Sequence, residues 1–191
     1  MKIFDKKIIL ASKSPRRSQL LAQAGFRFEV KTKEVEEDFP AEMPADEVAS
    51  YLAEKKALAC ADYLQADDEI LLSADSVVIL DEKIYGKPVD FEDAVQILRE
   101  LSGRVHRVIT GVCFLSTTKK RVFSEVALVH FQPLTEEEIR YYVGTYQPYD
   151  KAGAYAVQEW IGLCKVSKIE GTFSNIMGLP MESVFRELEA F

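Results

Sequence analysis

Two rhythms of apolar residues divide the chain into candidate strands and helices. Ile8-Ile9-Leu10-Ala11 is a short unbroken apolar run of the kind a buried strand shows. Ser14 and Pro15 follow as an N-cap and first helical residue, and Leu20, Leu21 and Ala24 carry a helical stripe to a stop at Gly25. Residues 26–31 read as a strand, and the acidic stretch with Glu34, Glu36, Glu37 and Asp38 as a loop. From 46 to about 64, Val48, Tyr51, Leu52, Leu58, Ala59 and Tyr63 fall at the spacing of an amphipathic helix with Lys55 and Lys56 in its middle.

Residues 69–80 are strand-like except where Ser73-Ala74-Asp75-Ser76 sets a carboxylate between Ile70-Leu71-Leu72 and Val77-Val78-Ile79-Leu80. Asp81-Glu82-Lys83 is expected to turn the chain, and Gly86-Lys87-Pro88 to end the return segment before a helix over 91–101, with Asp90 and Asp93 at its start and Ser102-Gly103 at its close. Residues 105–115 and 121–132 read as two long strands, most simply an antiparallel pair joined through 117–120. Thr135 and Glu138 form a capping box for a short helix to Tyr142 or Val143. A loop over 144–152 leads to Gly153-Ala154-Tyr155, a hairpin-like region over 163–176 and a final amphipathic helix from about Met181. Interleaved helices and strands with hairpins predict a mixed α/β fold.

Composition narrows the class. The 191 residues are 48% hydrophobic and 29% charged, ordinary for a globular chain, with neither a repeat nor a Pro/Gly/Ser-rich linker. Lys plus Arg number 24 against 31 Asp plus Glu, a net charge of -7, so the global positive field of a protein that coats duplex nucleic acid is missing and any anion site must be local. Cys60, Cys113 and Cys164 lie far apart and are odd in number, which argues against a disulfide framework and for a reducing, cytoplasmic setting. No cleavable signal, membrane-length apolar run or lipidation motif is present, so no membrane association is expected.

The candidate chemistry starts at Ser12-Lys13-Ser14-Pro15-Arg16-Arg17. A helix start already carries unpaired N–H groups and the positive end of the dipole, so Arg16 and Arg17 add charge of the unfavourable sign. A bound phosphate would reverse that balance by accepting the N–H bonds and the guanidinium forks. For an isolated Ser-Pro-Arg-Arg, two solvated arginines beside a turn is the simpler reading, and a basic turn touching nucleic acid is another. Asp75 is the leading catalytic candidate, either as a base for water or as a metal ligand, against the alternative of a turn or capping aspartate. Lys87, held between Gly86 and Pro88, suits a cation that meets a phosphate in one place, or is an ordinary turn lysine. Spacing puts Lys55 nearer the centre of its helix stripe and Lys56 towards the edge, and does not choose between them. With only His106 and His130, a zinc-histidine site is not expected, whereas Glu37 and Asp75 offer hard oxygens suited to Mg²⁺ or Mn²⁺. Gln158 could read the polar edge of a base, and Tyr155 and Trp160 could supply a stacking face, although aromatics beside a sheet more often fill a core. Neither a P-loop nor a G-x-S-x-G elbow occurs.

Taken in order, these segments resemble the Maf family of nucleoside triphosphate pyrophosphatases over nearly the whole chain. The resemblance rests on Ala11 to Arg17 followed by Leu20-Leu21, Val35-Glu36-Glu37, Leu52-Ala53-Glu54-Lys55-Lys56-Ala57, Ala74-Asp75-Ser76-Val77-Val78 and Gly86-Lys87-Pro88. It continues through Leu101-Ser102-Gly103 with His106 and Thr110, Asp150-Lys151-Ala152-Gly153-Ala154-Tyr155 with Gln158, and Met177-Gly178-Leu179-Pro180. It implies a single domain over 1–191, of the Maf and inosine triphosphatase type: a mixed, largely antiparallel elongated sheet flanked by helices, with two lobes around a substrate cleft.

The same resemblance implies Asp75 as the base, Ser12, Arg16, Arg17, Lys56 and Lys87 as the residues that hold the triphosphate, and Glu37 and Asp75 near a divalent metal, Mg²⁺ or Mn²⁺. It resolves the lysine pair in favour of Lys56. Arg16, Ser76 and Gln158 stand where the family's substrate branches differ and resemble the dTTP/UTP branch. Ser76 replaces a usual threonine, Ala156 a usual glycine, and Glu159-Trp160 a more glycine-rich continuation. The implied reaction is metal-assisted water attack at the α-phosphorus of dTTP or UTP, giving the monophosphate and pyrophosphate and limiting incorporation of non-canonical nucleotides. The rival is a non-catalytic nucleotide- or nucleic-acid-binding regulator of cell division. A nucleoside triphosphate is the expected partner, extended nucleic-acid binding is not expected, and a homodimer stays open with no surface assigned to it.

Overall fold

The computed structural model describes residues 2–191. Its elements run β1 (Lys7–Leu10), α1 (Pro15–Gln23), β2 (Phe28–Val30), α2 (Ala45–Ala59), β3 (Glu69–Leu80), β4 (Lys83–Tyr85), α3 (Phe91–Leu101), β5 (Val105–Leu115), β6 (Lys120–Phe131), α4 (Glu136–Tyr146), α5 (Trp160–Lys165), β7 (Val166–Glu170), α6 (Phe173–Met177) and α7 (Met181–Ala190). The strands form one seven-stranded sheet in the order β2-β1-β3-β5-β6-β7, with β4 paired to β3 off this path. β1 is parallel to both β2 and β3, while the β3–β4 and β6–β7 pairs are antiparallel, so the sheet is mixed. Two compact units divide the chain: Met1–Asp75 with Thr110–Glu125 and Gly178–Phe191, and Ser76–Ile109 with Val126–Met177.

In the first unit the parallel pairs require crossovers, and the helices that lie between β1 and β2 and ahead of β3 supply them. β1 is inside, with Ile8, Ile9 and Leu10 buried and in register with Phe28 to Val30 on one side and Ile70 to Leu72 on the other. α2 lies unusually close to the sheet. A Cβ on Gly111 of β5 would come within 2.3 Å of the backbone of Ala49 and Ser50, so glycine is needed there for the approach. Ala53 and Ala57 bury with Ala11, Cys60, Leu71 and Cys113 in one cluster, against which Tyr63 and Leu64 pack. That packing corrects the expected helix over 46–64. The helix ends at Ala59 and a 3₁₀ turn over Ala61–Tyr63 follows, and the apolar spacing outlasts the helix because Tyr63 and Leu64 reach the same cluster from outside it. The cysteines are all free, Cys60 and Cys113 buried and Cys164 exposed, and burial pushes the Cys113 thiol up to about 12.

β3 is unbroken through Ser73 to Ser76, where the sequence showed an interruption. The break is one of side-chain chemistry and leaves the backbone extended. In the second unit, Asp81 and Glu82 adopt positive φ of 49° and 63°, the tight turn of a hairpin between β3 and β4. Asp90 caps α3 by accepting the Asp93 N–H at 2.9 Å, and the Thr135 capping box starts α4, which runs on to Tyr146. The expected hairpin over 163–176 is replaced by α5, β7 and α6. Its strand residues find their partner far away in sequence: Leu128 to Phe131 of β6 pair with Glu170 to Val166 of β7. Among the described residues no helix is long and apolar enough to cross a membrane.

His106 is enclosed in the second unit between the edges of Phe131 and Tyr155, with ring centroids 4.9 and 5.4 Å away. Its Nε2 lies 2.7 Å from the Tyr155 hydroxyl, while Nδ1 is buried with no hydrogen-bond partner. Burial, with a smaller contribution from His130, pulls its pKa from 6.5 to about 3.

Gly111→Ala is expected to destabilise the protein by about 3 kcal/mol, because a methyl against helix backbone forces the helix to move. Unchanged urea unfolding would show that the approach is less tight than it looks. For His106, the unfolded chain takes up a proton below 6.5 and the folded chain does not until about 3, so stability falls as pH drops through that window. Its contribution is up to about 1.4 kcal/mol per pH unit. His106→Gln should unfold with a shallower dependence between pH 6.5 and 4 than the parent, and identical slopes would refute the assignment.

Candidate functional site

The first unit gathers a cluster of opposite charges at the start of α1, the middle of α2 and the end of its share of β3. Its register is set by neighbouring contacts. On β3, Ser73 and Asp75 point to the same face because side chains alternate. On α2, Ala49, Ala53 and Lys56 share one face at helical spacing. The buried Ser73 hydroxyl donates to the Ala53 carbonyl at 2.6 Å, which sets the helix against the strand. One step along each face, Lys56 Nζ therefore meets Asp75 Oδ1 in a short ion pair. The same ammonium donates to Glu37 Oε1 at 2.9 Å.

Lys56 holds its side chain only 17% exposed between those two carboxylates, whereas Lys55 turns outward to Asp38. The stripe position that placed Lys55 nearer the centre is corrected by this contact. Lys56 docks at the edge of the helix face because its long stem can run along the apolar surface and deliver the ammonium to Asp75. Glu37 comes from the acidic loop, which is otherwise a solvated stretch.

At the start of α1, Ser14 occupies the N-cap position but its side chain makes no capping bond. Ser12 does the local work, its buried hydroxyl oxygen accepting the Ser14 N–H at 3.3 Å and Arg17 Nη1 at 3.1 Å. Arg17 Nε donates at 2.7 Å to the carbonyl of Gly178, a residue of positive φ from the segment before α7. Desolvation lowers the Arg17 pKa, Arg16 lowers it further, and the charges of Asp75 and Glu37 oppose them. Two arginines, one lysine and two carboxylates thus sense one another within this unit. Gly178 was quoted in the sequence only as part of a motif. Its role as an acceptor depends on a contact between residues 161 positions apart, which spacing does not signal.

The remaining sequence candidates, Ser76, Lys87 and Gln158, belong to the second unit. Lys87 is exposed beside Gly86, whose carbonyl accepts the Gly153 N–H at 3.1 Å, so the Lys87 turn is tied to the segment that leads to Gln158. Gly153 has φ +70°, and a Cβ there would lie 2.8 Å from Val78. Gln158 is half-buried, and its Oε1 is buried without a donor. Tyr155 is not a stacking platform: its ring is packed with His106 and Phe131, and burial pushes its hydroxyl pKa up. Trp160 packs edge-on against Tyr141 instead of offering a free face. Tyr155 follows the core-filling alternative, whereas Trp160 is half-buried against the exposed Tyr141.

Arg17→Ala would strand the Gly178 carbonyl and leave the Ser12 hydroxyl with the Ser14 N–H alone, and is expected to cost about 1–3 kcal/mol of stability. Arg17→Lys would recover only part of it, since an ammonium lacks the planar fork. Equal urea midpoints for the parent and Arg17→Ala would mean that these bonds do not hold the turn.

The family model described as Maf-like protein matches residues 7–191. A Porphyromonas gingivalis (strain ATCC BAA-308 / W83) protein named dTTP/UTP pyrophosphatase is 47% identical over 187 residues, covering 97% of this chain and 94% of that relative. One from Bacteroides thetaiotaomicron with the same name is 48% identical over 183 residues, covering 95% and 94%. The solved structure of the Staphylococcus aureus Ham1 protein is similar with a TM-score of 0.48 and 16% identity, over 66% of this chain and 72% of that one. A match from the first strand to the last residue, together with relatives near half identical over almost their whole length, places this chain in the Maf family.

Proposed function

We propose that this protein is a nucleoside triphosphate pyrophosphatase that hydrolyses dTTP and UTP to the monophosphate and pyrophosphate. The observation that carries the reading is the cluster of Ser12, Arg16, Arg17, Glu37, Lys56 and Asp75 in one unit of an acidic protein. The family relatives named dTTP/UTP pyrophosphatase support the choice of reaction and nucleotide.

Phosphoryl transfer asks the protein mainly to position its reactants and to neutralise charge on the transferred group and the leaving oxygens. The Arg16 and Arg17 guanidinium groups, at the positive end of the α1 dipole, are suited to hold phosphate oxygens. Lys56 already holds Asp75 through Oδ1. Asp75 then takes the proton of the attacking water on Oδ2, with the ammonium fixing the carboxylate's orientation. Water attacks the α-phosphorus and pyrophosphate leaves. In the second unit, Lys87 is assigned to phosphate binding, and Ser76 and Gln158, with Arg16 of the first, to discrimination among nucleotides.

The donor set fits a hard divalent cation. Glu37 and Asp75 both place an oxygen on one ammonium, so a single cation can be shared between them. Glu37 and Asp75 would hold Mg²⁺ or Mn²⁺ together with substrate phosphates. When bound, the ion would draw charge from the phosphate oxygens.

Incubated with UTP or dTTP and Mg²⁺ or Mn²⁺, the protein should release UMP or dTMP with pyrophosphate. Nucleoside diphosphate with orthophosphate, or binding without turnover, would overturn the reading. Asp75→Asn should lower kcat about 10²–10⁴-fold while nucleotide affinity changes by no more than about threefold. An Asp75→Asn enzyme that turns over like the parent would remove the carboxylate from the mechanism.

A further inference from the structure

In the second unit a buried tyrosine hydroxyl stands at a junction for which the reaction above has no use. Tyr142 of α4 is fully buried, with its ring stacked on Tyr146 at 4.9 Å. Its hydroxyl donates to Glu159 Oε2 and accepts the Ala156 N–H at 3.0 Å. Glu159 Oε1 lies 3.6 Å from Lys151 Nζ, and Lys151 is itself buried and paired with Asp150 at 2.7 Å. Burial, followed by the neighbouring carboxylate, pushes the Tyr142 pKa up, which keeps the phenol protonated as the donor.

These contacts clamp the segment 156–159 at both ends. Glu159 holds the N-cap position of α5, yet its side chain makes no capping bond and goes to Tyr142 instead. The Glu159 N–H returns to the Ala156 carbonyl at 3.1 Å. A Cβ on Gly162 would fall 1.9 Å from the Val157 carbonyl oxygen, so α5 is pressed against the peptide just before Gln158. Between the two anchors sits Gln158, whose buried Oε1 accepts no hydrogen bond. A backbone fixed on both sides restricts where the half-buried Gln158 side chain can lie.

We propose that Tyr142 and Glu159 are positioning residues that hold Gln158 for selection of a uracil or thymine base. This rests on the reading of Gln158 as a residue that discriminates among nucleotides. Glu159 stands where the family resemblance leads one to expect a more glycine-rich continuation.

Equilibrium binding of α,β-imido-UTP, α,β-imido-GTP and inorganic tripolyphosphate to the full chain tests it, with Mg²⁺ present throughout. Tyr142→Phe and Glu159→Ala should each weaken the UTP analogue about tenfold, the loss of one well-placed hydrogen bond, with tripolyphosphate binding unchanged. Glu159→Gln keeps an acceptor for the Tyr142 hydroxyl and should stay within about threefold of the parent. Gln158→Ala should show the same loss, and Tyr142→Phe added to it should cause no further loss, because the two act through one contact. The inference is overturned if Tyr142→Phe leaves the preference for the UTP analogue over the GTP analogue intact. It is also overturned if tripolyphosphate weakens in parallel, if Glu159→Gln behaves as Glu159→Ala, or if the losses add. Because binding is read with analogues that resist cleavage, a chain unable to hydrolyse UTP would refute the pyrophosphatase reading by a separate measurement.

Discussion

The contact between helix α2 and the strands beneath it sets the charged pair at the centre of the first unit's polar cluster. Gly111 lets the backbone of α2 come down on β5, and the Ser73 hydroxyl bonded to the Ala53 carbonyl fixes the helix against β3. Neither contact is itself chemical. Together they leave no freedom to the next residue on each face, and those residues are Lys56 and Asp75. A one-residue slip of the strand would turn Asp75 to the opposite face, and a rotation of the helix by one residue would offer Lys55 instead. The charge pair is thus a consequence of how small side chains pack, and its geometry is protected by the core.

Concentrating cations in an acidic protein needs such protection. With a net charge of -7, the molecule as a whole repels a polyphosphate, and only a short-range arrangement can attract one. Arg17 supplies part of it by being desolvated and tied to Ser12 and to Gly178, so its charge is held in place and weakly screened. Glu37 and Asp75 moderate the repulsion between the arginines and the lysine in the absence of an anion. On the proposed function, an arriving phosphate would meet the two arginines already oriented, while the Lys56 ammonium stays on Asp75.

Much of this was legible in the chain. The Ser14-Pro15 start of α1, the Asp90 and Thr135 caps and the Asp81-Glu82 turn are local devices, each written within a few residues, and all four elements lie where those residues put them. Elements that depend on distant partners were harder. β7 is a strand because β6 offers it an edge, and α5 is a helix pressed on the Val157 carbonyl, so the hairpin expected over 163–176 had no local cause to fail. The lysine pair shows the same limit at the site. Periodicity ranks positions by how apolar their neighbours are, whereas Lys56 is chosen by a carboxylate on a strand 19 residues on. Gly178 and Tyr142 left still less trace, because a carbonyl acceptor and a core phenol look like any others until the chain has folded.

The two units solve the problem of holding a polar group by different means, and the difference bears on what each can do. In the first, charged groups face one another across part-exposed space, an arrangement that a charged ligand can enter by exchanging partners. In the second, the polar groups joined through Glu159 are closed off: Tyr142 and Lys151 are both buried. Such a network cannot exchange partners without leaving a donor or acceptor unpaired, so it resists motion. Binding strength for a polyphosphate calls for mobile, strong, undirected charge, and discrimination among bases of similar shape calls for a few rigid, directed hydrogen bonds. Under the proposed function the distribution of polar residues between the units would follow that division of labour, carried by buried tyrosines and a glutamate as much as by the residues whose chemistry is conspicuous.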